Sequence, residues 1–236
     1  MFEFEGKIRY SETGADLHLT IPGLLNYFQD AAIFEGENIS VSMEELEAKH
    51  MTWVLNSWQV SWNRRPKVNE DIVVSTVPFA FKGVTGSRNF MMKNKQTEEV
   101  LATATSVWVL VDTDNMMPVR PSKELIARYP IGAQLDIPYE GRRVAYQGEG
   151  VAREALVIRK IQIDSNHHVN NAEYVNMALD YIEHGRKVNQ VRAEYKKSAV
   201  LDDVLIPMIF EGEDRLVVRF DSETGEIFAL VEFRYG

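Results

Sequence analysis

Two stretches of this chain repeat one succession of elements, an amphipathic helix followed by four strands, and that repetition narrows the possible folds more than any other feature. In the first, Pro22 to Phe34 sets Leu24, Leu25, Phe28, Ala31 and Ala32 at helical spacing, with Thr20 as a candidate cap and Pro22 inside the first turn. In the second, Val175, Ala178, Leu179 and Ile182 form a stripe opposite Glu173, Asn176, Asp180 and Glu183, which predicts a helix over 171–184. Strands are predicted after the first helix at 52–62, 72–79, 84–93 and 100–111, and after the second at 187–197, 204–212, 215–222 and 226–234. Ser42-Met43-Glu44-Glu45 reads as a capping box that opens a short extra helix. The segment from about 112 to 150 holds Pro118, Pro121, Pro130 and Pro138 and a helical piece at Ser122 to Arg128, so it reads as a structured bridge between repeats.

Local wording repeats as well. Trp62-Asn63-Arg64-Arg65-Pro66-Lys67-Val68-Asn69-Glu70-Asp71 sits between two strands, as does Tyr195-Lys196-Lys197-Ser198-Ala199-Val200-Leu201-Asp202-Asp203. Setting Tyr27 against Tyr174 places Leu17, Leu19 and Ile21 opposite Asp164, Asn166 and His168. On that register the first repeat is apolar where the second is polar. Each large apolar side chain given up forgoes roughly 1.5–3 kcal/mol of burial, an exchange expected where the polar groups serve a function.

The polar segment is Asp164-Ser165-Asn166-His167-His168-Val169-Asn170-Asn171. It puts an acid, a carboxamide and an imidazole on alternate residues, and an extended backbone would turn Asp164, Asn166 and His168 to one side. A helix start follows at once, with unpaired N–H groups and the positive end of a dipole that suit a developing oxyanion. Acyl transfer uses both halves of that arrangement. The same residue types also gather in turns and helix caps, where Asn170 or Asn171 would serve only as the N-cap. His167 and His168 are adjacent, so on a strand they face opposite ways, and His18, His50 and His184 are scattered; no metal site is expected.

Composition removes several classes of function. The chain has no cysteine, which excludes disulfides, thiolate metal sites and a cysteine nucleophile, so a hydrolase built on it uses water, a hydroxyl or a carboxylate. A net charge of −9 argues against a general nucleic-acid binder. No apolar run approaches the roughly 18 residues of a membrane span, and the first residues lack a signal-peptide pattern, so a cytoplasmic protein with no membrane partner is expected. With 45% hydrophobic and 26% charged residues the chain can build a sizeable core.

Five pieces, taken in order, carry a family likeness: Arg9-Tyr10-Ser11-Glu12-Thr13-Gly14-Ala15-Asp16; Trp53-Val54 with Arg65-Pro66; Ser106-Val107-Trp108-Val109; Asp164 through Tyr174; and Glu194-Tyr195-Lys196-Lys197. On these the chain resembles the acyl-ACP thioesterases of plants and bacteria along nearly its whole length. The resemblance implies an α+β fold, a tandem (double) hotdog with two long helices each wrapped by a curved antiparallel sheet. It further implies an acyl-pocket half at 1–130, a connector at 131–150 and a catalytic half at 151–236, with Asp164, Asn166 and His168 catalytic. Plant members place a Glu followed by a Cys after the Glu-Tyr-basic-basic stretch; here Ser198 and Ala199 stand there, so a cysteine mechanism cannot apply, and Ser198 and Glu194 are the auxiliary candidates.

The implied reaction is hydrolysis of acyl carrier protein thioesters without a cofactor. The carbonyl oxygen would lie near main-chain N–H groups at Asn170 and Asn171, with Asn166 positioning the reactants and His168 acting as base and then protonating the thiol. Asp164 would orient that group, or would itself be the base. An acidic carrier protein calls for a local basic face, for which Arg64, Arg65 and Lys67, or Arg192, Lys196 and Lys197, are the candidates. An acyl-CoA thioesterase or hydratase on the same fold, and a non-catalytic acyl-binding module, are the alternatives; both a monomer and a homodimer fit the sequence.

Overall fold

The computed structural model describes Met1–Gly236, and the chain forms two compact units, one from residues 1–56 and 60–139 and the other from 57–59 and 140–236. In the first unit, β1 (Phe2–Lys7), β2 (Met51–Trp62), β3 (Asp71–Lys82), β4 (Thr85–Asn94) and β5 (Val100–Asp112) lie in the order β1-β3-β4-β5-β2. Its β1–β3, β3–β4 and β4–β5 pairs are antiparallel. In the second, β6 (Val151–Ala152) and β7 (Leu156–Val157) both join β9 (Val204–Glu211), and β9, β10 (Arg215–Asp221), β11 (Ile227–Tyr235) and β8 (Val188–Tyr195) follow in that order. The second unit therefore repeats the strand order of the first, as the shared grammar required.

All eight predicted strands are present, with ends shifted by at most three residues. The largest shift is at β3, which runs on to Lys82 because its hairpin with β4 closes only at Gly83, whose φ of 64° suits a residue without Cβ. A bulge between Pro78 and Ala80 accommodates the proline. Strand β1 was not among the predicted elements, although Phe2, Phe4 and Gly6 alternate with the exposed Glu3, Glu5 and Lys7.

Helix α1 (Ile21–Asn38) packs on β3 and β1. The Thr20 Oγ1 accepts the Gly23 N–H at 3.1 Å, and the stripe Ile21, Leu24, Leu25, Phe28 and Ala31 is buried. Ser42 and Ser122 cap α2 (Met43–Glu47) and α3 (Lys123–Arg128) in the same manner. Leu46 and Leu125 from these two short helices share a core cluster with Val41, Leu110 and Tyr129. No helix is long and apolar enough to cross a membrane.

Helix α4 (Asn171–Leu179) packs on β11 and is shorter than the 171–184 span expected. Its final turn tightens, with Tyr181 and Ile182 N–H groups bonding the carbonyls three residues back. Tyr181 and Ile182 are only half-buried and the next residues are exposed. Without a sheet surface to cover, a further turn lacks the packing that sustains a short helix.

The bridge between the repeats is tied down at intervals. In the first unit the Gly132 N–H bonds the Pro78 carbonyl at 2.9 Å, and the Leu135 N–H bonds the Asn89 Oδ1 at 2.8 Å. In the second, the Val144 N–H bonds a Glu194 carboxylate oxygen at 2.9 Å. The two loops of similar wording also take one conformation. Pro66 and Ala199 carbonyls accept the Leu19 and Val169 N–H groups, and Asn69 and Asp202, both with φ of 69°, donate to Ile8 and Ile158.

Glu70 locks the first of these loops. Its carboxylate takes two bonds from Arg64, one from the Asn94 amide at 2.7 Å and one from the Lys67 N–H at 2.9 Å. The Arg64 bonds, over the opposing effect of burial, hold its pKa down at about 2. A folded-state value below the unfolded one adds stability that is complete above the ordinary carboxylate range and is lost as pH falls toward 2. Thermal midpoints of Glu70→Gln are expected to lie below those of the parent at pH 7 and to converge on them as pH drops from about 4.5 to 2. A constant gap across that range would show that Glu70 does not act through its charge.

Candidate active site

Residues 164–168 do not run extended. Ile163 and Val169 form an antiparallel bridge, and between them the Asp164 N–H bonds the His168 carbonyl at 2.8 Å while the His167 N–H bonds the Asp164 carbonyl at 3.1 Å. His167 takes φ of 61°, and the Asp164 carboxylate folds back to accept the Asn166 N–H at 2.8 Å and the His168 N–H at 3.4 Å. This is a turn held by an aspartate side chain, so the alternating-face rule for strands does not apply. The turn itself sets Asp164 beside His168, both half-buried, with Asn166 exposed at the tip. The Asp164 carboxylate bonds the main chain and not the imidazole. Neither the His168 ring nor the Asn166 amide makes a hydrogen bond within the protein, and both remain open to a ligand.

The helix start divides the two asparagines. Asn170 is the N-cap: its Oδ1 accepts the Ala172 N–H at 2.9 Å, its carbonyl the Glu173 N–H at 2.9 Å, and its own N–H donates to the Gln162 carbonyl at 2.9 Å. The expectation that Asn170 supplies an oxyanion donor is therefore corrected, because that N–H is already bonded. The Asn171 N–H has no acceptor in the protein and is the donor left at this end of α4.

Two tyrosines brace this end from below. The Tyr195 hydroxyl donates to the Asn171 carbonyl at 2.9 Å, and the Tyr174 hydroxyl accepts the Ala199 N–H at 3.0 Å, their rings 5.8 Å apart. Burial pushes Tyr174 up to about 12, and burial followed by the neighbouring Tyr174 raises Tyr195 as well, so both stay neutral. Sequence reasoning gave neither residue a place in the site. Ala199 also accepts the Val169 N–H, and its predecessor Ser198, exposed, is thereby brought against the turn.

The repeats align differently from the tyrosine-based register. The Thr13–Leu19 bridge corresponds to Ile163–Val169, Leu17 with φ of 58° to His167, and the Thr20 cap to the Asn170 cap. Gly14, Asp16 and His18 thus stand opposite Asp164, Asn166 and His168, and not Leu17, Leu19 and Ile21. Matching the two cap residues, both legible in the sequence, gives this register. The first repeat is therefore polar at the same place, and the turn is architectural in both copies.

What differs is availability. The His18 Nδ1 lies 2.8 Å from the Asp16 carbonyl, and Asp16 is gripped by Arg65, which also donates to the Leu19 carbonyl at 2.9 Å. Ser198 occupies the position of Arg65 in the second repeat, where the ring stays free. An open recess of 410 Å³ bounded by Tyr10, Ser11, Thr13, Gly14, Ala15 and Leu17 lies at the first-repeat turn.

Several expected surface cations have other duties. Arg192 is buried; its guanidinium lies 3.4 Å from Glu232 and donates to the Gly141 and Arg143 carbonyls at 3.1 and 2.8 Å, so it holds the bridge and offers no docking charge. Arg64 is forked between Glu70 and Glu99, and Arg65 is committed to Asp16. Lys196 and Lys197 are exposed beside Glu194 and Glu226, at 3.2 and 2.6 Å. Glu194 is buried and bonded to Val144, which removes it as an auxiliary in the site.

Comparison with known proteins covers both repeats. A model of the acyl-ACP thioesterase N-terminal domain matches residues 1–129, and one of the acyl-ACP thioesterase C-terminal domain matches residues 147–228. The chain is 26% identical to the chloroplastic palmitoyl-acyl carrier protein thioesterase of Gossypium hirsutum over 87% of its length and 54% of the relative's. It is 21% identical to the chloroplastic oleoyl-acyl carrier protein thioesterase of Coriandrum sativum over 96% and 68%. It spans about half the length of most of the curated relatives it matches. Among solved structures, an acyl-ACP thioesterase from Bacteroides thetaiotaomicron superposes with a TM-score of 0.89 at 19% identity, covering 99% of this chain and 97% of that one. The 12:0-ACP thioesterase of Umbellularia californica superposes with a TM-score of 0.85 at 20% identity, covering 100% and 96%. These likenesses establish the tandem hotdog fold.

Proposed function

The chain belongs to the acyl-ACP thioesterase family, and from that premise we propose that it hydrolyses fatty acyl thioesters of acyl carrier protein to free fatty acid and the carrier thiol. The observation that carries this reading is the unengaged His168 imidazole and Asn166 amide on a turn adjoining the free Asn171 N–H. A thioester carbonyl directed at that N–H gains a donor for the negative charge that builds on its oxygen. His168 takes the proton of the attacking water and returns it to the departing sulfur, while Asn166 orients water or substrate. Asp164 acts through the main chain by holding the turn that presents them.

In this reading residues 151–236 form the catalytic half, 1–130 the acyl-pocket half and 131–150 the connector. The relatives named above are chloroplastic, and a cytoplasmic location for this chain belongs to the proposal. The test is to supply acyl carrier protein thioesters of graded chain length alongside acyl-CoA and enoyl-CoA, and to follow released thiol and fatty acid. Turnover of the best carrier-protein substrate is expected to exceed that of the matching acyl-CoA by at least about tenfold, with no hydration of enoyl-CoA. Failure to release thiol from a carrier-protein substrate of any length would overturn the reading.

A further inference from the structure

The segment just before the candidate turn differs between the repeats in one telling way. In the first, Arg9 is neutralised by Glu12, 3.7 Å away, and a Glu12 carboxylate oxygen also accepts the Arg9 N–H at 2.8 Å. In the second, Gln162 takes the place of Glu12 and its Oε1 accepts the Arg159 N–H at the same 2.8 Å. The geometry is kept and the negative charge is removed. Arg159 and its neighbour Lys160 are both exposed, and neither pairs with a carboxylate.

Between these cations and the turn stands Ile161, 91% exposed, the most exposed large apolar side chain of the protein. Three further exposed apolar residues, Val157, Val200 and Leu201, ride on segments fastened to the same place: Asp202 donates to the Ile158 carbonyl at 3.1 Å, and Ala199 accepts from Val169. Of the acids within three residues of these positions, Asp164 and Asp203 are engaged by the Asn166 and Val200 N–H groups, which leaves Glu154 and Asp202 at the edge of the face. The result is an apolar centre with a cationic edge, reaching the candidate turn through the bond from the Asn170 N–H to the Gln162 carbonyl. Apolar side chains presented to water in this way mark association surfaces.

From this we infer that Val157, Arg159, Lys160, Ile161, Val200 and Leu201 form the docking face for an acidic carrier protein, one that presents carboxylates beside an apolar strip and delivers its thioester to the adjoining turn. The inference rests on the reading of the chain as a carrier-protein thioesterase. Charge complementarity selects the partner: on a chain of net charge −9 an acidic protein is repelled overall, so a face with unpaired cations steers it to one approach. Of the basic residues expected from sequence alone, Arg192, Arg64 and Arg65 are committed to internal partners, Lys196 and Lys197 lie beside Glu194 and Glu226, and Lys67 is exposed on the first repeat, whereas Arg159 and Lys160 adjoin the candidate turn with no carboxylate partner.

The test is the full-length triple variant Arg159→Glu, Lys160→Glu, Ile161→Ser, whose three sites are exposed and whose thermal midpoint is expected to stay that of the parent. Binding of acyl carrier protein is titrated at low salt, and hydrolysis is measured with acyl carrier protein thioester and with the small acyl-pantetheine thioester. Expected are binding and KM for the protein substrate weakened at least about tenfold, and acyl-pantetheine turnover unchanged. Equal binding by parent and variant, no binding of carrier protein by the parent, or equal loss on both substrates overturns the docking face. A parent that binds carrier protein without cleaving its thioester sinks the hydrolase reading and leaves the face standing.

Discussion

Replacing His168 by alanine is expected to lower turnover of acyl carrier protein thioester by a factor of about 10² to 10⁴, the usual contribution of a positioned general base, with an unchanged unfolding midpoint. The ring makes no hydrogen bond within the protein, so removing it deletes a reactive group without breaking a hydrogen bond or ion pair. His18→Ala, at the equivalent place in the first repeat, is expected to leave turnover unaffected, because that ring is fixed on the Asp16 carbonyl. Steady-state rates on one carrier-protein substrate decide the matter, and a His168→Ala enzyme within twofold of the parent removes His168 from the mechanism. Asp164→Asn separates the two roles open to that residue. It keeps a side-chain oxygen to accept the Asn166 N–H and loses the charge, so near-parental rates assign Asp164 to holding the turn, and a collapse assigns it the proton.

Replacing Glu35 by alanine is expected to destabilise the protein by about 3–5 kcal/mol, the cost of stranding a buried charge. Glu35 ends the buried stripe of α1, only 1% exposed, with a carboxylate oxygen 2.5 Å from a guanidinium nitrogen of Arg88 on β4, itself 7% exposed. Neither Glu35 oxygen has a well-angled hydrogen bond, while Arg88 also reaches the Thr76 hydroxyl at 3.2 Å. Burial raises the Glu35 pKa against the pull of Arg88. A folded-state value above the unfolded one means that this carboxyl favours folding below the ordinary carboxylate range, and that the contribution is lost as pH rises through the raised value. At neutral pH the pair is thus poorly compensated, and Glu35→Met with Arg88→Met is expected to recover most or all of the loss of the single variant. Chemical denaturation of the three proteins measures this, and a Glu35→Ala loss below about 1 kcal/mol would show that the Arg88 charge finds solvent.

Much of the molecule could be read from the chain alone. The stripe Leu24, Leu25, Phe28, Ala31, the caps at Thr20, Ser42 and Ser122, and all eight long strands follow from periodicities and hydrogen bonds that span at most a few residues. The likeness of the 62–71 and 195–203 loops survived into matching hydrogen bonds. The failures were of another kind. Asp164, Asn166 and His168 alternate as a strand would, but the Asp164 carboxylate bonds the main chain and closes a turn, and the tyrosine-based register missed the match between the caps at Thr20 and Asn170.

The sequence by itself determined the repeated order of helix and strands, the family, and the identity of the polar residues at the start of the second helix. Only the tertiary structure decided which of those groups are free. Periodicity is a property of neighbours along the chain, whereas the fate of a charge or a ring depends on partners far away in sequence: Glu232 and the 141–143 carbonyls for Arg192, Arg65 for Asp16, Val144 for Glu194. Because a buried polar group must find such a partner and an exposed one need not, the same residue types become scaffold at His18 and Arg192 and stay available at His168 and Arg159.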